Sequence, residues 1–545
     1  MYRFTTPRLP QVGEKKPARG VLFFAGLLIA ALLISYFPAS AQNATGSIGG
    51  TVTDASGAVV PGAKVVLKNE GNGVTRDGVT NSAGFFNFVA VYPGSYTVTI
   101  TAAGFTTWEE NGLPLSQGAN LSANAVLKIG TATTQVEVIS AAEVPVPTDN
   151  GAASTTLNEH MISETAIQGR DAAELIKIMP GMGMAGGLNQ SMWNSLVTQS
   201  NSGPIGNFSS QGTQPYGAMT MTSDGANLLD PGNQGTQTAN INQNQIAEFS
   251  ILTNAYGAEF AKGPMTFQAI GKSGTSQFHG GGYFYARNGV FNSEDSYLKA
   301  SGLTKPQDSY YYPGGDIGGP VIIPKVNFNK NHDKLFFYAA YEYMNQQPAG
   351  TLIQRFIPTQ EMMNGNFSPA YIATLGPGFA TSTYSQDAVA PCNPGAPSKC
   401  TLPPGGIIPA TQLDPNSLAL WKTLPKPNTD PTSNATGTNY QYLNQEPVNR
   451  WELRLRGDYS ITEKMKVFFS WNRQDETDIN PISVWWGTNT SVPYPSVMPA
   501  NQVSQVYSAN VTNVFTPTLT NEFIFADATF INPITLSNPS AVDPT

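Results

Sequence analysis

Trp451-Glu452-Leu453-Arg454-Leu455-Arg456-Gly457-Asp458-Tyr459 alternates without a break: every odd position is apolar or glycine and every even one is charged. Lys464-Met465-Lys466-Val467-Phe468-Phe469-Ser470-Trp471-Asn472 repeats the pattern, with Met465, Val467, Phe469 and Trp471 at the odd positions. Successive side chains of a strand point to opposite faces, so each run reads as a strand with one apolar and one polar side. Ser460-Ile461-Thr462-Glu463 reads as the tight turn that joins them into a hairpin. A soluble sandwich also alternates, but it covers so much Trp, Phe, Met and Leu with a second sheet. An apolar face against hydrocarbon and a charged face around a wet interior is the pattern of a transmembrane β-barrel. Val503–Thr512 and Thr520–Phe530 read as a further pair of such strands.

Composition agrees with this reading. The 545 residues exceed one ordinary domain. Charged residues make up 12%, about half the roughly 25% of soluble proteins. Apolar residues reach only 40%. Glycine (53 residues), Asn, Ser, Thr, Gln and aromatics fill the difference, a mix suited to strands and turns. After the N-terminal segment no stretch approaches the ~20 apolar residues of a spanning helix. Any further membrane crossing must therefore be a closed barrel, which alone satisfies strand backbone groups in lipid.

Residues 1–41 read as a secretory signal. Arg3, Arg8, Lys15, Lys16 and Arg19 precede an apolar run from Val21 to Phe37, and Ala39-Ser40-Ala41 gives the small-x-small pattern for cleavage before Gln42. A permanent membrane anchor is the alternative, because the run is long. Removing the segment takes away five basic and one acidic side chain, so the remainder is four charges more acidic than the whole chain's −8. That balance speaks against a nucleic-acid partner. Cys392 and Cys400 are the two cysteines and lie in PCNPGAPSKC. In an exported protein they read as a short-range disulfide, with no histidine nearby to suggest a metal.

Residues 42–128 read as a small β-sandwich. GSIGGTVTDASGAVVPGAKVVLKN holds two alternating runs around a Gly/Pro turn, and NSAGFFNFVAVYPGSYTVTITAAGF adds two more split by Pro93-Gly94. On Gly50-Thr51-Val52, Asp54, Gly57, Pro61-Gly62-Ala63, Ser82-Ala83-Gly84 and Tyr92-Pro93-Gly94-Ser95-Tyr96 the segment resembles the carboxypeptidase regulatory-like domain. The resemblance implies a transthyretin-like or starch-binding-like sandwich that is not a peptidase, with carbohydrate binding as an association only.

The rest of the chain resembles Oar-like TonB-dependent outer-membrane receptors. Residues 129–150 read as a linker in which Thr134-Gln135-Val136-Glu137-Val138-Ile139 is strand-prone. Two fates stay open for Gln135, Val136, Glu137, Val138 and Ile139: pairing with the TonB energy-transducing protein by strand addition, or forming the sandwich's last strand. Residues 151–275 resemble the receptors' plug. Gly169-Arg170-Asp171 opens a short amphipathic helix that Asp171 caps, with Leu175, Ile178 and Met179 on one face and Pro180-Gly181 as its end. Asp224-Gly225 matches a family turn, Ile246–Phe249 and Tyr256–Phe260 match later plug strands, and the Gly/Ser/Asn/Gln-rich 181–222 reads as plug loops. Lys272-Ser273-Gly274-Thr275 resembles the plug–barrel junction, and Phe278–Asn288, Gly318-Gly319-Pro320 and Asp333–Glu342 resemble the first barrel strands.

Residues 276–545 are thus expected to hold about seven or eight strands of roughly 9–11 residues. The resemblance implies a barrel of about 22, so this sequence is expected to be the N-terminal part of a longer receptor. The fold class is mainly β: an N-terminal β-sandwich, a small α/β plug, then an incomplete transmembrane barrel. The expected function is uptake of an unidentified, large ligand (protein or glycan), with TonB, outer-membrane lipid and the extracellular ligand as partners. The alternative is a surface adhesion or carbohydrate-binding protein on the same scaffold. No enzyme, metal or cofactor is expected. His160, His279 and His332 are dispersed and no metal or nucleophile-elbow motif appears. Gly271-Lys272-Ser273 lacks the first glycine of a P-loop, since Thr266 stands there.

Overall fold

The computed structural model describes residues 45–130, 137–140, 153–167, 169–184, 208–210, 219–232, 237–254, 265–294, 296, 299, 305, 307–326, 328–376, 404–433, 437–445, 447–480, 498–516, 519–533 and 535–542. The signal segment, Gln135, Val136, Tyr256–Phe260, Cys392 and Cys400 lie outside them.

The N-terminal sandwich is two facing sheets. Gly46–Asp54 pairs antiparallel with Phe85–Val91 and parallel with Asn120–Ser122 and Ala125–Leu127. The other sheet runs in the order Thr75–Val79, Lys64–Asn69, Gly94–Thr101, Trp108–Leu115, Glu137–Ser140. Alternate residues of both sheets face inward, as period-2 patterning requires. Ile48, Val52, Phe86 and Phe88 meet Val65, Leu67, Val98, Ile100 and Trp108 in one core.

The plug is a five-stranded sheet, ordered Ala153–Asn158, Ile246–Asn254, Met265–Gly271, Met219–Ser223, Ala226–Asn227. Met219–Ser223 is buried along its whole length, so the last part of 181–222 is a core strand rather than loop; its Met-Thr-Met-Thr alternation is too short a run to stand out from the polar stretch before it. Met182–Met184 and Phe208–Ser210, in the same stretch, pair antiparallel. The helix expected after Asp171 is a 3₁₀ helix, Ala172–Ile178, with the Asp171 carboxylate accepting from Ala173 N. Its three-residue turn changes which side chains share a face. Leu175 and Met179 are buried as expected, but Ile178 is 59% exposed and Ile176 takes the inner position at 0%.

Seven antiparallel strands form the large sheet in simple sequence order: His279–Asn288, Ser309–Pro320, Leu335–Gln347, Val448–Thr462, Met465–Asn480, Met498–Thr516 and Leu519–Ile531. They are 10 to 19 residues long, and all but the first exceed the roughly 9–11 expected. The turn of the central hairpin is Glu463-Lys464, with Thr462 paired to Met465. Ser460–Thr462 therefore continues the strand through an irregularity in register, where the sequence had suggested a turn; only two residues are left for the connection, the shortest hairpin loop.

The sheet is sided as its sequence dictates. Arg450, Glu452, Arg454, Gln474 and Glu476 are buried at 2% or less toward the plug. Aromatics stack across strands on the other face: Phe284 on Tyr311 at 6.1 Å, Tyr341 on Trp451 at 6.4 Å and Trp471 on Tyr507 at 6.2 Å. Beyond them the same face becomes polar, with Asn345, Asn449, Thr477 and Asn501 in one register row. From Trp451 to Tyr459 the chain climbs about 26 Å along the strand. At barrel tilt this is a height of about 20 Å, close to the ≈ 25 Å apolar band of such barrels.

Connections at one end of the sheet are short (321–334, 463–464, 517–518) and at the other long (289–308, 348–447, 481–497). Outer-membrane barrels keep short turns at the periplasm and long loops outside. The sandwich sits at the short-turn end, where Tyr92 touches Thr512. The longest loop folds on itself: Thr351–Arg355 pairs with Tyr440–Asn444, and Met362, Phe367, Leu375 and Ile408 make a separate small core.

Candidate functional site

The plug meets the barrel wall through charge. The D-G turn anticipated from sequence closes a two-residue hairpin, because Ser223 pairs with Ala226. Asp224 (φ 48°) and Gly225 (φ 82°) are both left-handed, the requirement of a type I′ turn that Asp-Gly meets best. The turn points its carboxylate at the wall. Asp224 Oδ1 accepts from Gly271 N at 2.9 Å and from Arg456 Nη1 at 3.0 Å, and Oδ2 pairs with Arg454. Arg456 also reaches Asp458 at 2.8 Å, and Ser508 Oγ donates to the Asp224 carbonyl at 2.5 Å. Burial alone pushes the Asp224 carboxyl up, but Arg454 and Arg456 outweigh it and hold the group below the usual carboxylate range.

A second contact stands on the plug's opening segment. Arg170, itself left-handed at φ 64°, pairs with Glu342 at 3.1 Å and donates to Gln243 Oε1 at 3.2 Å. Its guanidinium lies 4.2 Å from the Tyr285 ring centroid, and Tyr283 OH donates to the same Glu342 oxygen at 2.9 Å. Between these two anchors, Gln474 accepts from Asn240 N at 2.9 Å and donates to Asn240 O at 2.7 Å. Glu452 accepts from Gln474 at 2.9 Å and from Asn242. Arg450 pairs with Glu476 at 3.2 Å. Asp171, raised by burial, binds Ala173 N at 2.9 Å and Ile241 N at 3.3 Å, and so ties the 3₁₀ helix to the strip that faces the wall.

Apolar continuity between plug and wall is narrow: Val506 joins the plug's core and Ala528 packs on it. The seam is therefore held by ion pairs and hydrogen bonds. Such a seam is strong while dry, since stripping one partner from a buried pair costs about 3–5 kcal/mol. Yet its surfaces are compatible with water once apart, unlike an exposed apolar core.

The structure places the remaining sequence candidates as follows. Gly169 N donates to Glu174 at 2.8 Å, and Pro180-Gly181 end the 3₁₀ segment, Gly181 at φ 77°. Lys272 pairs with Glu159 at 2.7 Å; Ser273 lines a crevice beside the sandwich. Gly274 sits so close to the Phe337 and Gly319 carbonyls that any Cβ would collide, and Thr275 Oγ1 donates to Gln277 O at 2.8 Å. Glu137–Ser140 pairs parallel with Trp108–Asn111, so this part of the strand-prone segment is an edge strand of the sandwich. The wall residues Glu342, Arg450, Glu452, Arg454, Arg456, Gln474 and Glu476 were visible in sequence only as one face of alternating strands. Their plug partners lie 172 to 234 positions away in the chain, while Arg450 and Glu476 pair with each other; Arg170 and Asp224 were marked as plug motifs, but no local pattern said which wall residue each would meet.

Comparison with known proteins bears on the same regions. A family model described as outer membrane beta barrel domain matches residues 270–543, and the carboxypeptidase regulatory-like domain matches 47–128. No curated protein matches the chain. Among solved structures, the siderophore receptor PirA from Pseudomonas aeruginosa is similar at 11% identity and TM-score 0.35, over 70% of this chain and 41% of that one. The outer membrane transporter YddB from Escherichia coli is similar at 9% identity and TM-score 0.37, over 67% and 37%. The chain spans about two-fifths of the length of these proteins. Half of the sequence, including the whole sided sheet, falls within one family model: the chain belongs to the outer membrane beta barrel domain family, resides in the outer membrane, and carries a carboxypeptidase regulatory-like domain ahead of its plug.

Proposed function

We propose that this protein is a TonB-dependent outer-membrane receptor and transporter. The observation that supports it most is the buried ionic seam: a compact plug with its own core, fastened to the inner face of a lipid-sided sheet by Asp224 and Arg170. An extracellular ligand, a protein or glycan, binds on the outer loops and the plug. The energised TonB protein pulls on the chain ahead of the plug, by strand addition along residues 135–139, and a passage opens beside the wall. Signal cleavage before Gln42 delivers the chain for export, and no covalent chemistry is asked of it.

Met219, Met221 and Met265 are wholly buried in the plug and report its movement without substitution, since peroxide oxidises methionine when solvent reaches it. Cells carrying the full-length protein in their normal growth medium should oxidise these three residues faster when energised than after a protonophore. Equal oxidation in both states, with exposed Met161 oxidised in each, sinks the transport reading. Adhesion is the second reading, favoured by the self-contained core of the longest outer loop; it expects surface binding with no energy dependence at all.

A further inference from the structure

The sandwich is seated against the rest of the protein by polar contacts at three places. Its Tyr92 hydroxyl donates to Asn510 Oδ1 at 3.0 Å and lies 2.7 Å from Thr512 Oγ1, both on the sixth barrel strand. The Tyr92 ring meets Phe468 edge-on at 6.2 Å, with the Lys466 ammonium 5.8 Å from its centroid. On the plug, Gln117 N donates to Glu248 Oε1 at 3.0 Å. At the plug–barrel junction, Ser276 N donates to Gly71 O at 3.3 Å. A crevice of about 400 Å³ remains where the three bodies meet, lined by Tyr92, Ser116, Glu248, Asp458 and Lys466 among others. The sandwich core and the plug core are separate clusters. Polar, incompletely packed contacts between domains are the kind that open and close.

These contacts pin the plug as well as the sandwich. Glu248 belongs to the plug strand Ile246–Asn254, and Ser276 follows the junction directly. Glu137–Ser140, the last described residues before the plug, are part of the sandwich's own sheet. Tension on the chain at that point is therefore borne by the sandwich before it reaches the plug.

We propose that the β-sandwich is a releasable lock on the periplasmic face of the plug, with Tyr92 as its bolt, and that the plug moves only after the sandwich leaves the barrel wall. The proposal deepens the transport reading and rests on it. Docking is tested first without transport, in the purified full-length protein in phosphatidylcholine vesicles. Hydrogen exchange at the Gln117 amide should quicken about tenfold or more in Tyr92→Ala, from the loss of two hydrogen bonds and the ring contact. Tyr92→Phe, which keeps the ring, should fall between. Exchange unchanged in both variants overturns the bolt. The lock is tested by a staple: a Cβ on Gly71 would lie 3.9 Å from Thr275 Cγ2, within reach of a disulfide between Gly71→Cys and Thr275→Cys. Stapled protein should lose the energy-dependent oxidation of Met219, Met221 and Met265, while the same variant alkylated before oxidation should retain it. A stapled protein that responds like the alkylated one overturns the lock and leaves the receptor standing. Absence of any energy-dependent oxidation in wild type and variant takes down the receptor reading and the lock with it.

Discussion

Asp224→Asn removes one charge from the seam and little else. Asparagine matches the shape of aspartate and accepts the left-handed backbone of position 224, so the hairpin survives. What changes is the balance of charge: Arg454 and Arg456, with side chains 3% and 6% exposed, lose their shared carboxylate. At the 3.0 Å of the Arg456 contact, Coulomb attraction at an effective dielectric of 20 is about 5.5 kcal/mol. Arg456 keeps Asp458 at 2.8 Å, which returns part of the loss. Breaking buried pairs costs about 3–5 kcal/mol, and the lower end fits a site with a surviving partner. About 3 kcal/mol corresponds to a rise of roughly a hundredfold in the open population of the seam. The assay is peroxide oxidation of Met219, Met221 and Met265 in outer-membrane vesicles without an energy source, under conditions where reaction follows opening. Adding Arg454→Met should recover at least half of the loss on a logarithmic scale, because replacing both partners removes the stranded charge. A rise under about threefold for Asp224→Asn, or no recovery in the double variant, refutes the electrostatic account of the seam.

Other positions give separate tests. Leu455, on the lipid side of the fourth strand opposite Trp471, should cost about 2–4 kcal/mol when replaced by Lys, in urea titrations from lipid vesicles, whereas Asn345→Lys in the polar row should cost under about 1 kcal/mol. Burial raises the Glu248 carboxyl from 4.5 to about 7, with Ser116 and Gln117 of the sandwich against it and Glu159, His160, Arg456, Asp458 and Lys466 across the crevice. The folded protein thus binds the proton more tightly than a solvated carboxyl does. Its stabilisation is complete below about 4.5 and is lost as pH rises through about 7. Protection of the Gln117 amide, corrected for intrinsic exchange, should weaken from pH 5 to pH 8 in wild type and stay flat in Glu248→Gln. Gly225→Ala should destabilise the plug by about 1–2 kcal/mol, from its φ of 82° and from Ile524 Cγ2 at 3.0 Å from the added methyl, read as faster oxidation of the same methionines. The peptide holding Cys392 and Cys400 should weigh two hydrogens less without reductant than with it.

Sidedness was legible before any coordinates. Strand period is a property of the backbone, so Leu453/Arg454/Leu455/Arg456 fixes which residues face lipid and which face the lumen once one face is apolar. Asp224-Gly225 likewise announces its own turn, because few pairs tolerate two left-handed residues in succession. Local rules failed where local sequence does not decide. Met219–Ser223 is buried on both faces, and its short Met-Thr-Met-Thr alternation is lost within a long Gly/Ser/Asn-rich stretch. Ala172–Ile178 winds as 3₁₀, which turns Ile178 outward and Ile176 inward. Ser460–Thr462 extends as strand because Lys466 and Met465 across the hairpin pair with Ser460 and Thr462.

The sequence by itself determined the sheet's two faces, four of the sandwich's strands and the glycine turns, all of which depend on residues a few places apart. Tertiary structure alone decided that Asp224 meets Arg454 and Arg456, that Arg170 meets Glu342, and that Tyr92 reaches Asn510 across 418 positions. A charge states only that it needs a partner when buried. Which partner it finds depends on how plug, sandwich and barrel wall are brought together, and that is a property of the packed chain.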